Sequence, residues 1–533
     1  MRERFDAIVA GTGIAGLSAA IRAAELGLRV LVITKADAVE ETNTNYAQGG
    51  IIAGKEDRPG TPGEAELLAA DVLEAGCGWN DPEAVRLLAS EGPDLAVDFL
   101  ARRAGIAFSR NSGGKWDYAE EAAHSERRIL HFEDHTGDSI QSGLVARARA
   151  LGAEIRTGWT AIDLITNDHH SDDPTERYRE RETFGLYALE NATGEVHTLL
   201  ADSAVLATGG LGNIFQFTTN PPSATGDGVS IAARAGAEII NAEFVQFHPT
   251  ALFHKDIKRF LVSESLRGEG AKLIDREGRP FMGRYSPREE LAPRDVVSRA
   301  IYEEMSAQGI EYVYLDLASH YRGEQPIERR FSRIWETCRS GGIDIAREPI
   351  PVVPAAHYFC GGIKVDLSGR TNLRRLYAVG EASCTGVHGA NRLASTSMLE
   401  GLLWGIRAAE DIAATLGGRT GAMDRVAAAR LDAIPDWKAP RAAETFERAL
   451  IWQDWKTIKM TMWNHAGIAR TRKGLERAQA DLEYHAHRIT KFYREAALNR
   501  DIIELRNGVE TARIVVSAAI HNERSVGCHY RKD

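Results

Sequence analysis

The first 34 residues alternate apolar runs with small residues. Ile8 to Ala10 is a short apolar run. Three glycines follow, then an Ala/Leu-rich segment that stops at Gly27, then a second apolar run from Val30 to Ile33. This order predicts strand, tight turn, helix and strand. Glu64 to Ala75 and Pro82 to Gly105 read as amphipathic helices, the second with Val85, Leu88, Leu95 and Phe99 as a core-facing stripe. Ile155 to Thr166 and Phe184 to Glu190 read as paired strands, with the charged stretch His169 to Glu182 as an exposed hairpin tip between them. Ala204 to Gly210 is a buried strand ending in glycines.

From about Asn241 the pattern mixes short strands with helices rich in His, Glu and Arg. It continues to the proline-rich Glu348 to Pro354, which predicts a hinge at Pro351 or Pro354. Leu376 to Gly380 restores a buried strand, followed by small residues and a long apolar helix like those at the start. From about Gly417 the chain reads as helical. Ile451, Trp455, Ile458 and Met462, then Leu475, Ala478, Leu482 and Ile489, recur at the heptad-like spacing of core packing. The expected architecture is α/β. A Rossmann-like dinucleotide-binding domain in two parts, 1–240 and 354–417, is interrupted by an α+β capping domain, 241–353, and followed by a helical bundle, 418–533. A chain of 533 residues suits two to four domains.

Composition narrows the setting. No apolar run approaches the roughly 20 residues of a membrane span, and the first strand begins at once, leaving no room for a leader. Five scattered cysteines without a C-x-x-C fit a reducing, cytoplasmic location and give no sequence-visible metal site. The net charge of −10 argues against a nucleic-acid partner. An anionic ligand would then need a locally cationic pocket, because the overall field opposes it.

The three glycines are Gly11, Gly13 and Gly16, a G-x-G-x-x-G between strand and helix. This spacing lets backbone approach a pyrophosphate and aims the N–H groups of a helix start at its charge. The ribose-binding acid expected about 20 residues later is absent; Lys35 stands there. The ligand is a dinucleotide, but not obviously NAD. Glu41 to Gly50 is an amide-rich loop that can follow a flat polar ligand or be an ordinary surface loop. Ala119 to His131, dense in titratable groups, reads as a solvated helix face. Arg294 reads as a helix-start arginine bridging to Asp295 or a nearby acid.

Taken in order, GTGIAG, NYAQGG, ATGG, SATGDG, EFVQFHPT, SLRGEG, APRD, PAAHYFCGGI, YAVGE and HGANRLASTS resemble the flavoprotein family of succinate dehydrogenase, fumarate reductase and L-aspartate oxidase over nearly the whole chain. The resemblance implies FAD as the dinucleotide, and the family's lysine after the second strand accounts for Lys35. Carried over, the flavin site would use Gly11, Thr12, Gly13, Ile14, Ala15, Gly16, Lys35, Asn43, Thr44, Asn45, Tyr46, Ala47, Gln48, Gly49, Gly50, Asp227, Glu381, Ser397 and Met398. The dicarboxylate site would use Gln246, His248, Ser263, Glu264, Arg294, His357, Arg392 and Ser395. A four-carbon diacid held out of water needs charge-assisted donors at both ends, which this second set can supply.

Three features point to the aspartate oxidase branch. Where the membrane-complex members carry a flavin-linking histidine this chain has Asn43, so the resemblance implies noncovalent FAD. Glu121, three residues before His124, resembles the oxidase glutamate that faces the substrate ammonium; succinate would find that carboxylate repulsive. The ending, from EYHAHRI to CHY, resembles the oxidases' helical close. The expected activity is oxidation of L-aspartate to iminoaspartate, with oxygen or fumarate as acceptor. Arg294, His248, His357 and Glu121 would act at the reacting centre, and the product would pass to quinolinate synthase. The alternative is a soluble fumarate reductase or a succinate dehydrogenase-type subunit.

Overall fold

The computed structural model describes residues 2–55, 62–121, 123–133, 135–417, 425–439 and 447–533. The predicted opening unit forms as strand β1 (Arg2–Ala10), helix α1 (Ile14–Glu25) and strand β2 (Val30–Ile33). All four residues of β2 and the last four of β1 are buried, as a sheet covered on both faces requires. Strand β3 (Glu154–Arg156) extends the sheet in parallel beyond β2. Strands β4 (Trp159–Thr166) and β5 (Thr183–Glu190) pair antiparallel and lead into the long β6 (Glu195–Leu206). The second half of β6 lies parallel to β1, with Ile8 opposite Ala204, and on its other side to the strand Leu376–Ala378. The chain thus leaves this sheet after β6 and returns to it about 170 residues later. Helix α2 (Asp227–Ala235) follows β6.

The residues between build a second, antiparallel sheet. Strand β7 (Val245–Leu252) pairs with the later β10 (Ile350–Phe359), which pairs with β9 (Val313–Asp316), which pairs with β8 (Lys272–Ile274). Helix α3 (Arg294–Gln308) packs on it, burying Val297, Ala300 and Ile301. The apolar helix α4 (Thr396–Thr415) packs on α1 and covers the first sheet. Three helices close the chain: α5 (Arg448–Ala466), α6 (Arg472–Glu495) and α7 (Arg500–His521). Thr471 and Asn499 cap α6 and α7 with side-chain oxygens. Of the predicted stripe, Ile451, Ile458, Met462, Leu475, Ala478, Leu482 and Ile489 are buried. They share one core with Val245, Phe247 and Val352 of the second sheet, so the helices rest on it.

One expectation is corrected. The proline-rich stretch is no hinge: it lies inside β10, one of the two central strands of its sheet. Pro351 stands opposite Tyr314, and its carbonyl accepts the Phe253 N–H at 2.9 Å. Pro354 faces a register shift between His248 and Ala251, where the ladder is already interrupted. Prolines fit a strand where no N–H is required of them. The charged stretch His169–Glu182 does join β4 to β5 and is mostly exposed, Tyr178 at 93%, but two of its acids are not. Glu176 and Glu182 are buried and both pair with Arg430, a residue about 250 positions away that a local charge pattern does not reveal.

Candidate active site

A cleft of about 330 Å³ opens where β1, β2 and β6 end, the usual place for a dinucleotide on a parallel sheet. The glycine turn forms its floor. Gly11 has φ +123°, and a Cβ there would stand 2.0 Å from the Ala207 carbonyl oxygen, so only glycine lets the turn pass so close to β6. Thr12, Gly13, Ile14 and Ala15 line the cleft. Gly16 does not; it packs against the Gly11 carbonyl and allows the helix its close start. The loop after β2 forms one wall. The Thr44 hydroxyl accepts the Ile14 N–H at 3.0 Å, while Asn43, Tyr46, Ala47, Gln48, Gly49 and Gly50 face the space. Asn45 is not on the lining; its N–H caps the turn through Thr42.

Lys35 and Asp227 meet at the end of β2, with Nζ 2.6 Å from Oδ2. Glu381 lies between the Phe359 N–H at 3.0 Å and the Asn43 amide at 2.9 Å, which donate to its two carboxylate oxygens. Burial nevertheless pushes its carboxyl up to about 7. Ser397 and Met398, at the start of α4, complete this wall. At Gly209, with φ +74°, an added Cβ would meet nothing within 4 Å, so the strand end after β6 is open to a ligand.

At one end the cleft becomes cationic. Arg294, His357, Arg392, Ser395 and Glu121 line it. Arg392 donates to Gln246 Oε1 at 3.1 Å and to the Ser397 hydroxyl at 3.2 Å. Gln246 in turn donates to Asn391 and to the Arg392 carbonyl, so it shapes the arginine's loop from outside the lining. Arg294 opens α3 and donates through Nε to Glu264 at 2.9 Å; Asp295, its neighbour, pairs with Arg299 instead. Burial pushes the Glu264 carboxyl up, but Arg267 and Arg294 outweigh this and hold it down to about 2. Arg392 Nε and Arg294 Nη1 are buried with no hydrogen-bond partner among the described residues. Unmatched buried guanidinium donors suit an anion.

The two histidines sit side by side, ring centroids 5.3 Å apart. Burial and then Arg294, Arg267 and Arg392 drive His248 well below its usual range; burial and then Arg392 and Arg294 do the same to His357. Both are neutral donors rather than cations. His248 Nδ1 accepts the Thr250 N–H at 3.2 Å, so the ring proton is on Nε2. His357 Nδ1 is 2.8 Å from the Thr219 hydroxyl. His248, Ser263 and Glu264 stand behind the lining, and Ser263 accepts from the Ser265 hydroxyl at 3.0 Å.

Glu121 is half-buried on the cleft wall, not on a solvated face. Its Oε2 accepts the Ser395 hydroxyl at 2.7 Å, and its Oε1 lies 3.0 Å from where a Cβ on Gly49 would be. Ser395 has φ +57°, backbone strain that aims its hydroxyl at Glu121 rather than at the helix it precedes. His124 Nε2 is 3.0 Å from the Ala394 carbonyl and pins the same loop. Ala122, between Glu121 and His124, lies outside the described residues. Sequence reasoning missed Tyr358 and Glu400, which stand behind Arg392, and Thr219, which orients His357. A glutamate inside the apolar stretch of α4 is the signal that could have exposed Glu400.

A family model described as "FAD binding domain" matches residues 6–398, and one described as "Fumarate reductase flavoprotein C-term" matches 455–533. The chain is 40% identical to L-aspartate oxidase 1 of Ralstonia nicotianae over 532 residues, 99% of this chain and 95% of that protein. It is 40% identical to the L-aspartate oxidase of Halobacterium salinarum over 533 residues, 99% and 96% of the two chains. Among solved structures it resembles E. coli quinol fumarate reductase FrdA, with TM-score 0.86, 26% identity, and 100% and 92% of the chains covered. It also resembles Mycobacterium smegmatis Sdh1, with TM-score 0.79, 30% identity, and 100% and 89% covered. The glycine floor, the open strand end at Gly209 and the long cleft fit FAD. With its glycine turn, cationic cleft end and full-length likeness to these oxidases, the chain belongs to the L-aspartate oxidase family of FAD-binding flavoproteins.

Proposed function

We propose that this chain oxidises L-aspartate to iminoaspartate and passes the electron pair to oxygen, giving hydrogen peroxide, or to fumarate, giving succinate. Bound FAD, held noncovalently, supplies the hydride acceptor. The reading is supported most directly by Glu121 on the wall of a cleft end that also presents Arg294 and Arg392. Two guanidiniums match two carboxylates, and Glu121 matches the one ammonium that separates aspartate from succinate.

The residues divide the task. Arg392, steadied by Gln246 and Ser397, holds one carboxylate through Nε. Arg294 offers Nη1 while Glu264 holds its Nε side. Neutral His357, on the wall, adds a directed N–H donor without adding charge, and neutral His248 backs it from behind, so the pocket does not over-bind a dianion. Ser395 occupies Oε2 of Glu121 and leaves Oε1 for an ammonium proton. Taking that proton frees the nitrogen lone pair that the imine needs. Positioning in a dry site provides most of the gain. At the flavin wall, Gly11 to Ala15, Lys35, Asp227, Glu381, Ser397, Met398 and the loop from Asn43 to Gly50 would hold the cofactor.

Around this site we place the domain division 1–240, 241–353, 354–417 and 418–533, with the strand β10 carrying the chain through the second boundary. Five free thiols and no helix among the described residues long and apolar enough to cross a membrane support a cytoplasmic setting. Hand-off of the labile imine to quinolinate synthase completes the proposal. The test is anaerobic addition of L-aspartate to the yellow, flavin-loaded protein. Bleaching, with peroxide on readmitting air, is expected; bleaching by succinate but not by aspartate would refute the assignment.

A further inference from the structure

Helix α7 carries a polar stripe where the sequence pattern predicts packing alone. Glu504, Asn507 and Thr511 are spaced i, i+3, i+7 and share one face, and Asn507 and Thr511 are fully buried. That face meets the cofactor cleft from behind. Lys35 Nζ donates to Glu504 Oε1 at 2.7 Å, the Asn507 amide to Asp227 Oδ1 at 3.0 Å, and the Thr511 hydroxyl to the Gly226 carbonyl at 3.0 Å. Lys35 also donates to Asp227 Oδ2 and to the Thr225 hydroxyl, each at 2.6 Å. One ammonium is therefore shared by a carboxylate from each side of the wall, and both oxygens of Asp227 are held. Arg500, at 3.0 Å from Glu504, balances the second carboxylate.

We propose that Glu504 and Asn507 are positioning residues of the cofactor site, and that α7 forms its back wall, so that docking of the C-terminal helix and retention of FAD are coupled. Lysine is a point charge on a flexible four-carbon stem, and its place is set by what its three donors hold. Without Glu504 the Lys35 ammonium keeps one carboxylate and can swing from the wall. Without Asn507 the Asp227 carboxylate is freed on the opposite side. Coupling is reciprocal: what the helix adds to FAD affinity, FAD returns as stability of the docked helix. The proposal rests on Lys35 and Asp227 lining the cofactor site.

The experiment strips the flavin from the full chain and titrates FAD back, following quenching of flavin fluorescence. Glu504→Gln and Asn507→Ala are expected to weaken FAD binding at least ten-fold and to shrink the rise in Tm on adding FAD, with partial recovery in Glu504→Asp. If Lys35→Ala weakens binding while Glu504→Gln and Asn507→Ala match the unaltered chain, the coupling is wrong and the cofactor wall stands. If Lys35→Ala also binds normally, the wall itself is misassigned. Equal losses of Tm with and without FAD, at unchanged affinity, would make both residues merely structural and overturn the proposal. Should the variants not fold, hydrogen exchange of the unaltered chain decides. Amides of 500–521 are expected to exchange more slowly with FAD than without, and equal rates would overturn the coupling.

Discussion

The guanidinium of Arg392 lies 4.7 Å from the ring centroid of Tyr358. The Tyr358 hydroxyl donates to Glu400 at 3.0 Å, and Glu400 also holds His388 at 2.9 Å and the Thr385 hydroxyl at 2.5 Å. A phenol that donates to a buried carboxylate has a more electron-rich face, which suits the cation above it. Arg392 is thus fixed from beneath while its Nε stays available. A desolvated cation–π contact is worth about 2 kcal/mol. Tyr358→Leu should therefore raise KM for aspartate by roughly 10- to 30-fold, with a smaller fall in kcat. Tyr358→Phe keeps the ring and should raise KM less. Steady-state kinetics of the two variants test this; equal KM values would separate Tyr358 from Arg392.

Glu264 is the counter-charge to two guanidiniums. Its carboxyl is held at about 2 against a usual 4.5, because Arg267 and Arg294 outweigh the cost of burial. A carboxyl depressed on folding contributes stability that is present above 4.5 and lost as pH falls through 2. Glu264→Gln removes that contribution and leaves two buried cations facing each other, a loss of about 3 kcal/mol by comparison with other broken buried pairs. Urea unfolding at pH 7 and at pH 3 should show a smaller gap between the variant and the unaltered protein at the lower pH. A gap independent of pH would contradict the assignment.

Glu121 is expected to discriminate between the two half-reactions. Aspartate brings an ammonium to its Oε1; fumarate brings nothing there. Glu121→Gln should lower kcat/KM for aspartate oxidation by about 100-fold, the range of a lost proton acceptor. Fumarate reduction by the same variant should change by less than about 5-fold, the scale of a lost surface-type charge contact. Measuring both activities on one preparation controls for folding, and equal losses would remove Glu121 from the amino-group role.

The site was legible where chemistry is carried by the order of motifs. Gly11, Arg294, His357 and Arg392 stand in quoted motifs, and all line the cleft. Glu121 was legible only through its likeness to the oxidases, since its own neighbourhood reads as solvated. What escaped are residues whose partners come from far along the chain. Tyr358 on β10 and Glu400 on α4 meet from 42 positions apart, and Arg430 neutralises Glu176 and Glu182 from about 250 positions away. Glu504 reaches Lys35 across most of the chain's length. The Pro351 and Pro354 error has a different origin. Local turn chemistry assumes each N–H is needed, and here the ladder leaves both positions without that demand.

Glu381 makes the last expectation one about pH. Burial holds its carboxyl at about 7, against the opposing pull of the Phe359 N–H, the Asn43 amide and Arg392; the usual value is 4.5. The folded protein therefore keeps this proton when the unfolded chain has released it. Its contribution to stability is whole below 4.5 and is lost as pH rises through 7, to a limit of roughly 3 kcal/mol. Glu381→Gln cannot ionise and should be free of this loss. The flavin-free protein and its Glu381→Gln variant should then differ little in urea at pH 4.5, whereas at pH 8 the variant should be the more stable by about 2–3 kcal/mol. If the order at pH 8 is reversed, the amide of Asn43 and the N–H of Phe359 hold an ionised carboxylate more strongly than burial opposes it, and Glu381 is charged in the working enzyme.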